Sequence, residues 1–239
     1  MDEQGQKKEI GDYLFSWKRK FDNFIYHHKI ALIMGAALLA FVIFCIAQCA
    51  GRTPGDVNLA YIGASEISSE HYENLQSALG EMLGGDQNGD GKIHAEFTHF
   101  LYMTQRQVES ARASGKPVDL QSLITVQTQV DMEFAAGNIV IYFIDSDVYR
   151  ELSSRSGLFM PLEDALGFVP DDANDAYSLK LGNLQSWEYY MGLNDFPAGT
   201  VIAVRDIQVA EEDKPEKQDL YKRNLKMFRL LYEFKYLVE

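Results

Sequence analysis

The chain has 239 residues, 46% of them hydrophobic and 24% charged, and a net charge of −13. So acidic a balance disfavours nucleic acid and anionic lipid surfaces, because both present negative phosphate. The two cysteines, Cys45 and Cys49, sit in the most apolar stretch, so the chain beyond them has no thiol for a disulfide or a metal.

Residues 1–29 carry six basic side chains, Lys7, Lys8, Lys18, Arg19, Lys20 and Lys29, against five acidic ones, a net of +1 that leaves −14 for the rest. Ile30 to Ala50 then reads IALIMGAALLAFVIFCIAQCA, without a charge. Twenty-one helical residues at about 1.5 Å rise span roughly 31 Å, the thickness of a bilayer's hydrocarbon core. Arg52 is the one basic residue in the next twenty. Basic residues stay on the cytoplasmic side of a span, so the pattern predicts a single-pass cell-membrane protein with its N-terminus inside and its C-terminal part outside. Trp17 and Tyr26 have the amphipathic rings that favour the headgroup layer, and His27, His28 and Lys29 mark the interface. A cleaved signal peptide would have a shorter apolar core and a prompt small-residue cleavage site. Ile46-Ala47-Gln48-Cys49 resembles a bacterial lipobox, but Gln48 stands where that pattern needs a small residue.

Residues 51–56 read as a tether and 57–239 as one extracytoplasmic domain, large enough to hold itself by its own core. Val57 to Ile62 reads as a strand ending at Gly63-Ala64-Ser65, and Ser68-Ser69-Glu70 opens a helix closed by Gly84-Gly85. Asp86 to Gly91 is a polar turn. Ile93 to Met103 partly alternates, as a strand does. Gln105 to Pro117 is charged and loop-like with some helical character, and Asp119 to Phe134 is a second helix. The continuous apolar run Ile139 to Ile144 suits a strand buried on both faces. Asp147 to Ser154 reads as a helix, Tyr177 to Leu181 and Gly199 to Arg205 as strands, and Pro215 to Glu239 as a long closing helix. The alternation predicts an α/β fold: a mainly parallel sheet with covering helices, preceded by one transmembrane helix.

Within this pattern, Met132 to Leu166 reads MEFAAGNIVIYFIDSDVYRELSSRSGLFMPLEDAL. A helix ends in Ala136-Gly137, a buried strand ends in Asp145, and a short helix leads to the turn Gly157-Leu158-Phe159-Met160-Pro161-Leu162-Glu163-Asp164. This resembles a segment of the bacterial extracellular solute-binding proteins of the type II class, and the opening strand and closing strand-plus-helix fall where that family has its first and last elements. The resemblance implies a single-lobe or reduced member of that fold. Only about forty residues, 167–206, are available for the family's second lobe. Its partners would be the bilayer, a small-molecule solute, and a transporter or envelope protein. In an open α/β sheet, ligands meet the carboxyl ends of the strands. That nominates Gly63, Ala64, Ser65 and Glu66 after the first strand and Asp145, Ser146 and Asp147 after the buried one. Gly63 would let a ligand approach the backbone, and Ser65 and Asp145 would offer hydrogen bonds. Helix capping, by Ser65 to Ser69 and by Asp147, explains the same residues without a ligand. The alternative function is a non-catalytic envelope interaction or structural protein that keeps the fold without a ligand, with Trp187, Tyr189, Tyr190 and Met191 as a docking patch or as packing.

Asp86-Gln87-Asn88-Gly89-Asp90-Gly91-Lys92 fits D-x-[DN]-x-[DN]-G, the opening of a calcium loop. Asp86, Asn88 and Asp90 would supply side-chain oxygens and Lys92 a carbonyl. The twelfth position, which needs a bidentate carboxylate, is Phe97, so Glu96 is the nearest substitute and weak, structural calcium binding is expected. Ile93 would tuck into the core. An ordinary helix-to-strand turn accounts for the same Asn, Asp and Gly residues. The chain has none of H-E-x-x-H, G-x-S-x-G, a P-loop or G-x-G-x-x-G, and no enzyme is expected.

Overall fold

Residues 26, 28–31, 33–35, 37–45, 55–207, 211 and 213–235 are described by a computed structural model. Trp17, His27, the segment 46–49 and tether residues 51–54 lie outside them. The chain divides into two compact units, Met1–Thr53 and Pro54–Glu239. In the first, His28–Cys45 is one helix, α1, long and apolar enough to cross a membrane. It contains no proline, and its Ala and Leu residues are strong helix formers.

The second unit is a five-stranded sheet in the order β2-β1-β3-β5-β4. The strands are β1 (Val57–Gly63), β2 (Ala95–Leu101), β3 (Ile141–Ile144), β4 (Ser178–Lys180) and β5 (Val201–Val204). β1 pairs in parallel with β2 and β3, whereas β5 runs antiparallel to both β3 and β4. The sheet is therefore mixed. Residues 167–206, the stretch available for a second lobe, complete this sheet with β4 and β5, at the two strands read from the sequence.

Alternation sends Leu59, Tyr61, Ile141 and Phe143 to one face and Ala60, Ile62, Tyr142 and Ile144 to the other. The first face is covered by α2 (Ser69–Leu83) and α8 (Pro215–Glu233), through Leu75, Leu79, Phe228 and Leu231. The second is covered by α4 (Leu120–Ala136) and α5 (Ser146–Leu152), through Val130, Phe134, Val148 and Leu152. Every residue of β3 is buried, as its unbroken apolar run implies.

Helix ends follow local chemistry. Ser68 caps α2 by accepting the His71 amide at 3.1 Å, and Gly84, at φ 65°, closes it. The stretch expected as largely loop is α3 (Gln105–Ala113), started by a capping box between Thr104 and Gln107. Asp119 caps α4 by accepting the amides of Gln121 and Ser122. Trp187 and Tyr189 fall on α7 (Gln185–Tyr189), after the short α6 (Leu162–Leu166), and Tyr190 and Met191 follow it, Tyr190 buried.

Candidate functional site

β1 ends at Gly63 and its neighbour β3 at Ile144, while β2 lies on the far side of β1. The chain thus leaves β1 in one direction and returns in the other, the point where open α/β sheets form a ligand crevice. Here that crevice is occupied by the chain's own side chains. Asp145 starts α5 without capping it and turns its carboxylate to β1, where Oδ1 accepts the Tyr61 hydroxyl at 2.7 Å and Oδ2 the Ala64 amide at 2.9 Å. Burial raises the pKa of Tyr61, hydrogen bonding from Ser65 opposes the shift, and Asp145 adds to it. Tyr61 is therefore a hydrogen-bond donor at any physiological pH.

Gly63 serves this contact. A Cβ there would run into the Tyr61 hydroxyl and the Asp145 carboxyl carbon. The close approach expected of a ligand is made by the protein. Overpacking of this kind costs roughly 1–3 kcal/mol. Gly63→Ala should lower the denaturant midpoint accordingly, and Tyr61→Phe in the same chain should recover part of the loss. An unchanged midpoint for Gly63→Ala would refute this packing.

Other nominated residues are spread out. Ser146 is exposed at the start of α5. Asp147 is not the helix cap; it pairs with Arg150 at 3.0 Å and faces Arg106 at 3.9 Å on the surface, where ion pairs contribute little. Ser65 also hydrogen-bonds His99 through its backbone, and burial foremost lowers the His99 pKa. Glu66 is exposed. His71 is buried with a ring nitrogen 2.7 Å from the Gly192 carbonyl oxygen, its ring against Phe196.

A hollow lies one strand further out, at the carboxyl ends of β1 and β2. It measures about 570 Å³ and is lined by α3, α4 and the segment joining them. Of the nominated residues only Ala64 lines it, beside Leu101, Met103, Leu123 and Val126. The role of α3 and α4 as walls was not legible from their apolar pattern. The available signal was the Thr104-x-x-Gln107 capping pair, together with Leu120, Leu123 and Ile124, which sit at helical spacing although Leu120 and Ile124 are 45% and 57% exposed.

The acidic turn is closed by its own amides. Asp86 accepts from Asn88, Gly89 and Gly91, Asn88 from Asp90, and Asp90 from Lys92. These amides, that of Gly91 foremost, hold the Asp86 carboxyl below its usual range. The side chains expected as ligands do gather round one loop, but Glu96 does not join them. Ala95 packs into the core that α2 shares, so alternation puts Glu96 on the opposite face of β2. Ile93 is not tucked in but 50% exposed. Among the described residues no group of three or more His, Cys, Asp or Glu side chains is arranged to hold a metal. No family model, curated protein or solved structure matches the chain.

Proposed function

We propose that this chain is a membrane-anchored protein whose domain, on the outer side, binds a small-molecule solute or assists a transporter, as a reduced solute-binding protein would. The observation that carries the reading is the hollow of about 570 Å³ at the strand carboxyl ends. Its size falls in the ~300–1,000 Å³ range of small-molecule sites, and it opens at strand carboxyl ends, one strand away from the β1–β3 switch point where open α/β sheets usually bind. The apolar α1 and the basic residues before it support the anchor and its orientation. Within the same proposal, Asp86, Asn88, Asp90 and the Lys92 carbonyl take calcium weakly and brace the fold rather than the ligand.

Thermal shift of the full-length protein in lipid nanodiscs, against sugar, amino-acid and peptide pools, tests the reading. A ligand at 100 times its Kd should stabilise by about 2.7 kcal/mol. Protease added to intact cells should digest the domain; protection until lysis would overturn the outer placement.

The second reading, a non-catalytic envelope interaction or structural protein, is favoured by the filled β1–β3 crevice and by Tyr189 and Met191, 53% and 66% exposed. No shift with any pool would favour it.

A further inference from the structure

We infer that the hollow beside α3 and α4 takes an organic anion, with an apolar body and a carboxylate-like head. This rests on the binding reading above and adds the ligand's chemistry. The body is set by the walls, where Leu101, Met103, Val118, Leu123 and Val126 present apolar surface. The head is set by which polar groups remain to be satisfied.

The strong acceptors on the rim are already engaged. Asp119, the one acid there, takes the amides of Gln121 and Ser122 on Oδ1 and the Ser122 hydroxyl on Oδ2. Gln107 Oε1 takes the Thr104 amide at 2.8 Å and the Thr104 hydroxyl at 3.1 Å. The Ser114 hydroxyl donates to the Ala111 carbonyl. The exposed Lys116 ammonium and the half-buried Gln107 side-chain NH2 are donors with no protein partner among the described residues, and the exposed Ser110 hydroxyl can donate or accept. Lys116 is held in the α3–α4 connection by its amide, which donates to the Ala111 carbonyl at 2.9 Å. A rim that offers donors and has its acceptors spent favours a ligand that accepts; Asp119 stays ionised but turns both oxygens to the start of its own helix, which leaves the Lys116 charge open to a ligand and favours an anion.

Three probes of one shape separate the ideas: 4-phenylbutyrate, 4-phenylbutan-1-ol and 4-phenylbutylamine, titrated calorimetrically into the full-length protein in nanodiscs, with empty nanodiscs as the blank. We expect the acid to bind most tightly, and Lys116→Glu to weaken the acid about tenfold while leaving the alcohol unchanged. Ala111→Phe, which fills the hollow, should weaken all three. If the alcohol or amine binds as well as the acid, or if Lys116→Glu leaves the acid untouched, the head-group assignment is overturned while the binding reading stands. If none of the three binds, the anion inference fails; the pools of natural solutes then decide the binding reading separately.

Discussion

Replacing Arg205 by Met should cost the folded domain about 3–5 kcal/mol, the usual effect of removing one partner from a buried ion pair. Arg205 is 1% exposed at the end of β5. Its Nε donates to the Phe134 carbonyl at 2.8 Å, and its Nη1 donates to Glu211 Oε2 at 2.8 Å and to the Tyr221 hydroxyl at 2.6 Å. One guanidinium thus joins the last turn of α4, the end of β5 and the first turns of α8. Burial opposes its charge, but Glu211 and Tyr221 outweigh burial and raise its pKa. Tyr221 in turn is pushed up to about 12 by burial, against the pull of Arg205. Without the guanidinium, a buried carboxylate, a hydroxyl and a carbonyl lose their donor together. Arg205→Lys keeps the charge but not the planar fork and should fall between wild type and Arg205→Met. Arg205→Met with Glu211→Leu should recover part of the loss, because the buried carboxylate is removed together with its cation. Urea melts of the full-length protein in nanodiscs measure all three. A cost below about 1 kcal/mol for Arg205→Met would show that the cluster is not intact in solution.

The same cluster shows how far the sequence could be read. Gly137 was legible as a helix stop and has the positive φ, 63°, that a left-handed cap requires. Its second reason was not legible. A Cβ there would collide with Glu211 and come within 2.7 Å of Arg205 Nη1. Those partners lie some seventy residues away, and an arginine at a strand end reads as solvated. β3 was legible because burial on both faces leaves an unbroken apolar run. The direction of β5 was not, since a four-residue apolar strand carries no mark of which way it runs. Ala64 and Asp145 were nominated from their positions at strand ends. Whether such a residue lines a hollow or fills a crevice depends on the neighbouring side chains. Here Asp145 closes the crevice with Tyr61, and the open space is set by an α3 whose one buried residue, Val108, leaves almost no hydrophobic pattern to read.

Replacing Asp56 by Ala should cost about 3 kcal/mol, taking roughly 1 kcal/mol for each of three backbone amides that lose their acceptor. Asp56 is fully buried. Its Oδ1 accepts the amides of Gln87 at 2.6 Å and Asn88 at 3.0 Å, and its Oδ2 accepts that of His94 at 2.8 Å. Its own amide donates to the His94 carbonyl at 2.7 Å, and its carbonyl accepts Arg223 Nη1 of α8 at 3.0 Å. One residue before β1 therefore pins both ends of the acidic turn. A calcium ion would add to a turn that is already braced. At a concentration equal to its Kd, an ion contributes only about 0.4 kcal/mol. The order of effects decides between the two braces. Asp56→Ala should lower the urea midpoint strongly with or without calcium, and Asp56→Asn, which keeps one acceptor oxygen, should lower it less. Millimolar calcium should raise the wild-type midpoint slightly, EDTA should reverse the rise, and Asp86→Asn with Asp90→Asn should abolish it. A wild-type midpoint that ignores calcium removes the ion from the account and leaves Asp56 as the brace. A mild Asp56→Ala phenotype alongside a large calcium effect would reverse that ranking.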